Sequence, residues 1–158
     1  MKTPVKIGIA VAILVILGFA YYALSPLFKK VTINDPAPIM GQDITTPELA
    51  NPIEPFIIKE SKIVATPLHP AEGTVKAIIT DKGITVRYEN YKTINGPDLY
   101  VYLAKDLDAK EFVSLGRIKG TAGNINYEIP PEVDFTKYKY VLTWCKAFGV
   151  LFNSAEIN

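Results

Sequence analysis

Few residues in this sequence have the chemistry for catalysis or redox work. The stretch YVLTWCKAF, Tyr140 to Phe148, holds the single cysteine, Cys145, directly after the single tryptophan, Trp144. With no second cysteine, Cys145 cannot close a disulfide within the chain. It is either a packed small hydrophobe or a working thiol. The single histidine, His69, lies far upstream beside Pro70 and reads as a solvated residue. A Ser-His-Asp or Cys-His pair would therefore need the chain around position 69 to fold back onto the nucleophile. A blue-copper site needs two histidines and a cysteine, and a structural zinc site needs four Cys or His ligands, so both fail on count. The Cys-x-x-Cys-His motif of covalent c-type haem is absent. No Gly-rich phosphate loop occurs, and Gly120–Gly123 reads as a turn.

Carboxylates remain. Asp98, Asp106, Asp108, Glu111 and Asp134 all lie in turn-like stretches, where solvated charge is the ordinary fate and paired acid-base work the exception. The KDLDAKE segment is too poor in ligands, and too closely flanked by Lys105 and Lys110, to read as a calcium loop. No metal site is expected.

The elements that must position Cys145 are strands. In ITVRYENY, Ile84, Val86 and Tyr88 alternate with Thr85, Arg87 and Glu89, the period of a half-buried strand. In LYVYLA, Leu99, Val101 and Leu103 oppose Tyr100, Tyr102 and Ala104. Further strands are predicted at Thr74–Thr80, Phe112–Ile118, Asn126–Ile129, Lys139–Lys146 and Val150–Ala155. Asp81-Lys82-Gly83, Asn95-Gly96-Pro97-Asp98, Gly120–Gly123 and Pro130-Pro131 supply apt turns between them. Short strands at this spacing, with no segment long enough for a helical crossover, predict an all-β fold: a small antiparallel β-sandwich or barrel. In the Cys145 strand, Tyr140, Leu142 and Trp144 share one face and Val141, Thr143 and Cys145 the other. Both faces are fairly apolar, as a central strand requires. The tyrosines suit cross-strand pairing and core filling more than a stacking platform.

Upstream, Ile7–Leu24 (IGIAVAILVILGFAYYAL) carries no charge and would span ~27 Å as a helix, about the hydrocarbon thickness of a bilayer. Tyr21 and Tyr22 stand at its far end, where rings favour the interface. The rival is a cleaved signal peptide ending near Gly18-Phe19-Ala20, but the apolar run exceeds a typical signal core. The N-terminal amine, Lys2 and Lys6 outweigh Lys29 and Lys30 by one charge. That margin orients the N-terminus to the cytoplasm and the rest outside, as a single-pass protein of the cell membrane held through residues 5–24. Between Pro26 and Pro70 lie eight of the twelve prolines, which predict an extended, semi-rigid spacer. PFIIKESKIVA within it reads partly as strand, so Ile53, Phe56, Ile57 and Ile58 are candidates for packing on the domain edge. The expected organisation is an anchor over 1–25, a spacer over 26–70 and a β domain over 71–158. Formal charges nearly cancel, 17 basic against 16 acidic, and no polybasic run points to nucleic acid.

Three stretches together resemble a known family: NGPDLYVYL (Asn95–Leu103), LGRIKGTAGNINYEIP (Leu115–Pro130) and YKYVLTWCKAFGVLFNSAEI (Tyr138–Ile157). Over Gly73–Ile157 the chain resembles the DM-13 domain, found beside DOMON domains in Skeletor-type cell-surface proteins. The resemblance implies a redox or electron-transfer role, with the family's cysteine falling on Cys145. That cysteine would act as a bare thiol or as ligand to a group such as haem. The bare thiol ranks first, because residues 71–158 offer no second axial ligand and a small domain would have to open a sizeable pocket. No DOMON domain or cytochrome-type helix accompanies the domain here, so a redox partner would be a separate protein. A stand-alone enzyme is not expected. The competing reading, from a different class, is a non-catalytic stalked module that binds a surface protein or polymer.

Overall fold

A computed structural model describes residues 3–38, 56–80 and 82–158. The helix α1 (Thr3–Leu24) opens the chain and is followed by a 3-10 turn, Ser25–Phe28. Its segment Val5–Leu24, of mean hydropathy 2.5, is long and apolar enough to cross a membrane, and none of it is buried against the rest of the protein. No charged residue and no polar face interrupts Ile7–Leu24.

Among the described residues ten strands follow: β1 (Thr32–Asn34), β2 (Phe56–Lys62), β3 (Val64–Ala65), β4 (Ala71–Thr80), β5 (Gly83–Thr93), β6 (Leu99–Ala104), β7 (Phe112–Arg117), β8 (Ala122–Glu128), β9 (Tyr140–Cys145) and β10 (Val150–Glu156). They form two five-stranded sheets in the orders β1-β8-β5-β4-β2 and β3-β10-β9-β6-β7. Every pairing is antiparallel except β1 with β8. The fold is therefore the all-β sandwich-like arrangement expected, and each strand predicted from Thr74 onward is present. Val75, Ala77, Val86, Tyr88, Val101, Leu103, Ile125, Tyr127 and Val141 fill the space between the sheets.

Beyond the 3-10 turn Ser25–Phe28 the described parts of the proline-rich stretch are largely extended, and β1, β2 and β3 within them are hydrogen-bonded into the sheets. β1 lies along β8, and β2 pairs with β4. At Ile63 the chain crosses from one sheet to the other, where β3 edges β10. Ile58 and Ile63 pack on the core, while Phe56 and Ile57 stay exposed. Ile53 lies outside the described residues. The parallel pairing of β1 requires Gly123, held at φ +104, because a Cβ there would overlap the Ile33 carbonyl oxygen.

β5 departs from simple alternation. Val86 and Tyr88 face the core as predicted, yet Arg87 on the opposite face is also buried, at 5% exposure. The chain after β1 covers that face. Arg87 Nη1 donates to the carbonyls of Asp35 (3.3 Å) and Pro36 (3.0 Å) and to Asn126 Oδ1 (2.8 Å), and Arg87 Nε donates to Glu89 (2.8 Å). A buried guanidinium satisfied at several donors can serve as a clamp, whereas an unpaired one would be prohibitive.

Candidate functional site

Cys145 ends β9, the central strand of its sheet, opposite Leu99 of β6 and Val150 of β10. Strand parity turns Val141, Thr143 and Cys145 inward. Cys145 is 0% exposed and packs with Leu99 and Phe152, backed by Ile94 and Ile118. Phe152 reaches it because β10 slips register between Leu151 and Asn153. A bulge of this kind lets consecutive residues face the same side, so Phe152 and Asn153 both turn inward. Phe152 then lies on the thiol, and Asn153 enters a polar cluster around Thr143, two residues earlier in β9.

That cluster is built from hydroxyls. Tyr91 Oη lies 3.0 Å from Thr143 Oγ1, and Asn153 Nδ2 donates to Tyr91 Oη (3.3 Å) and Thr93 Oγ1 (3.4 Å). Tyr88 stacks obliquely on Tyr91 at 4.6 Å and meets Tyr127 edge-on at 5.8 Å. Burial pushes the Tyr88 and Tyr127 phenols well above their ordinary range and also raises the Tyr91 phenol, whose hydrogen bonds to Thr143, Asn153 and Thr93 partly oppose the shift. Tyr127 Oη accepts from the Lys119 backbone N–H (2.9 Å), whereas Tyr88 Oη, fully buried, has no partner among the described residues.

His69 is not the solvated residue that its neighbourhood in sequence predicts. Residues 63–70 form a strap over the end of the second sheet. Thr66 N–H donates to the Phe152 carbonyl (3.2 Å), and the His69 ring stacks on Phe152 at 3.8 Å and 18°. His69 Nδ1 is paired with Thr66 Oγ1 at 2.7 Å. Burial holds the imidazole below its ordinary pKa, partly opposed by a hydrogen bond to the Leu151 backbone. The strap thus grips Phe152, and Phe152 packs on the thiol. The histidine that a Cys-His pair would need does fold back, yet the Phe152 ring to which it is held is itself packed on Cys145.

A haem does not fit around Cys145. Leu99, Phe152, Ile94 and Ile118 surround the thiol, and the cavity of about 260 Å³ that Ile94 borders does not include Cys145 in its wall. His69 is committed to Thr66 and Phe152. Among the described residues no three His, Cys, Asp or Glu side chains converge as a metal site.

The carboxylates singled out in sequence are dispersed and locally paired. Asp98 bonds Arg117, Asp108 pairs with Lys110 at 3.1 Å, and Glu111 pairs with Lys105. Asp106 Oδ1 accepts from the backbone of Asp108 and Lys110, and Asp134 caps the 3-10 turn Phe135–Lys137 through Thr136. These are turn-building roles.

The outward face of β9 is aromatic. Tyr140, Trp144 and Tyr100 are half-buried around Leu142, Tyr102 and Ala104. Lys146 and Arg117 lie over the Tyr100 ring at 5.4 and 5.6 Å, and Lys139 over Tyr140 at 5.4 Å. Sequence parity anticipates this face. The Phe152 bulge, the hydroxyl cluster and the returning strap have no comparable sequence signal, since each depends on register.

The sequence was compared with known proteins. No curated protein and no solved structure matches it. A family model described as "Electron transfer DM13" matches residues 63–157, from the crossover at Ile63 to the end of β10. The match takes in the strap, Phe152 and Cys145 and covers more than half of the sequence, so the chain belongs to the electron transfer DM13 family.

Proposed function

We propose that this protein is a membrane-tethered, extracytoplasmic electron-transfer domain whose redox group is the Cys145 thiol. Three things support the reading: the family's description, an N-terminal helix able to span a bilayer, and one cysteine at the strand end where the strap crosses. The last carries it. Cys145 is separated from solvent by Phe152 and by a strap whose sheet pairing, β3, is only two residues long. Segments held by so few backbone bonds open at a small fraction of the global stability.

The chemistry is bounded by electron count. Two-electron oxidation of the lone thiol leads either to a sulfenic acid, with a peroxide-type oxidant supplying the oxygen, or to a mixed disulfide with a thiol of another molecule, the two thiols losing two electrons and two protons to an external acceptor as the S–S bond forms. Thiolate attack needs a clear approach, which the closed strap denies. The thiol therefore works in the open state, and its electron acceptor or donor is a separate molecule. The one-charge basic excess ahead of the apolar run Ile7–Leu24, made by the N-terminal amine, Lys2 and Lys6, supports an orientation with the N-terminus cytoplasmic. Protease added to intact cells is expected to remove the domain.

A mild oxidant with a small thiol, applied to the folded chain, tests the redox role. A mixed disulfide at Cys145, absent in Cys145→Ala, is expected. Modification only after denaturation would contradict it and favour a second reading, a stalked binding module working through Tyr100, Tyr140 and Trp144. The half-exposed rings of that face, attended by Lys139, Lys146 and Arg117, are the observation in its favour.

A further inference from the structure

The geometry points to a binding site for the phosphate headgroup of an anionic phospholipid at the end of the sandwich nearest α1. The inference goes beyond the thiol and does not depend on it, or on which side of the membrane the domain occupies. It rests on the anchor reading, with α1 resident in the bilayer.

The site is the cavity of about 260 Å³ between the segment that follows α1 and the strands β4 and β5. Lys29 and Lys30 enter it from the anchor side and Lys92 from β5. The wall contains one acid, Glu72, which pairs with Lys92 at 2.9 Å. The cavity therefore holds two cations in excess. Pro70, Ala71 and Ile94 give it an apolar wall. A bare anion has no use for that wall, whereas the glycerol and first methylenes of a lipid do.

Lys29 and Lys30 are held against the domain. Asn95 Nδ2 donates to the Lys29 carbonyl (3.1 Å), Val31 N–H donates to Thr121 Oγ1 (3.1 Å), and Thr121 N–H donates to the Val31 carbonyl (2.7 Å). Their depth follows from the chain between. The four-residue 3-10 turn Ser25–Phe28 separates them from α1. At about 2 Å per residue it advances ~8 Å. One headgroup layer is about 5–8 Å thick. A helix that ends at the hydrocarbon boundary thus delivers both ammonium groups to the level of the phosphates. The same end carries Phe148, in the β9–β10 turn, whose ring meets Phe19 of α1 edge-on at 6.4 Å and 76°. A contact between that turn and the membrane helix turns this end of the domain toward the bilayer.

A phosphate on a glycerol headgroup presents uncompensated negative charge to Lys29, Lys30 and Lys92, whereas a choline headgroup brings a competing cation. Each lysine near an anionic surface is worth about fivefold in affinity.

The test uses the full chain in neutral-detergent micelles, with the unfolding midpoint followed against dihexanoyl phosphatidylglycerol, dihexanoyl phosphatidylcholine and inorganic phosphate at matched ionic strength. A ligand that binds only the folded state raises the midpoint saturably. Phosphatidylglycerol is expected to do so and phosphatidylcholine is not. The response is expected to vanish in the triple variant Lys29→Gln, Lys30→Gln, Lys92→Gln, whose positions are exposed. It is also expected to vanish in Ala71→Phe, which fills the cavity and keeps every charge. Should Ala71→Phe fail to fold, Pro70→Trp at an exposed position of the same wall replaces it. No shift with phosphatidylglycerol, or an equal shift with phosphatidylcholine, would overturn the site. A response retained in the filled variant would reduce it to general surface charge, and an equal shift with inorganic phosphate would reassign it to a free anion. Either result overturns the lipid assignment. Loss of the anchor reading is separately visible, as a mature N-terminus beyond α1.

Discussion

The two faces of β9 are both apolar in sequence, and the fold uses them in opposite ways. Inward, Val141, Thr143 and Cys145 are sealed between the sheets, at 1% exposure or less. Outward, Leu142 is just as buried, but under side chains alone: Tyr100, Tyr140 and Trp144 roof it and remain half exposed. An inward residue is closed off by a second sheet and can be reached only by moving backbone. An outward one is reached by turning a rotamer. A thiol on the inward face is thus kept from adventitious chemistry, and uncovering it takes a segment able to move.

A charge placed on the inward face should do the most damage. Val141→Asp places a charge between the sheets and should abolish cooperative unfolding, since an unpaired buried carboxylate costs several kcal/mol. Tyr140→Asp, one residue away, faces outward and should cost about 1 kcal/mol. Circular dichroism through a denaturant titration separates the two. Similar losses would mean that the faces are not distinct.

At Cys145 itself the contrast is chemical. Cys145→Ser keeps the size but sets a hydroxyl among Leu99, Phe152 and Ile94, at a cost of about 1–3 kcal/mol. Cys145→Ala leaves a small gap worth about 1 kcal/mol. A serine milder than alanine would reveal a hydrogen-bond partner at the thiol.

The buried tyrosines sharpen the inward face further. Tyr91→Phe removes the partner of Thr143 and Asn153 and should cost about 1 kcal/mol. Tyr88→Phe removes a hydroxyl that has no partner among the described residues, so its denaturation midpoint should stay level or rise. A loss at Tyr88 equal to that at Tyr91 would show its hydroxyl to be engaged.

The smallest effect is on pH. Burial holds His69 below its ordinary pKa, so as pH falls the unfolded chain takes up the proton first. The strap's contribution is then complete above about pH 6.5 and is lost as pH drops toward the lower folded value. The stability difference between wild type and His69→Phe should shrink from pH 7.5 to 5.5. A difference that grows on acidification would reverse the sign.

Much of this was legible in the residues. Period-two alternation and turn residues mark the strands from Thr74 onward, and parity assigns both faces of β9. The apolar run gave the helix, and the resemblance over Gly73–Ile157 agrees with the family match. What escaped depends on register and on long-range return. A bulge adds one residue to a strand without changing its composition, so nothing in VLFNSAE announces that Phe152 and Asn153 both turn inward. Arg87 reads as solvent-facing until the chain near Asp35 covers it. His69 reads as solvated because prolines stand nearby, yet proline restricts only local backbone and leaves a two-residue strand free to edge a sheet.

Redox work at Cys145 requires that the strap gate the thiol. The most direct measurement is the rate at which a small alkylating reagent labels Cys145 in the folded full-length chain, in its His69→Ala variant, and in both after denaturation. Native wild type should label at least about tenfold more slowly than the denatured chain, because reaction waits on local opening. His69→Ala, which loses the stack on Phe152 and the bond to Thr66, should label faster when native and no differently when denatured. Equal native and denatured rates in wild type, or a native His69→Ala rate identical to wild type, would contradict it.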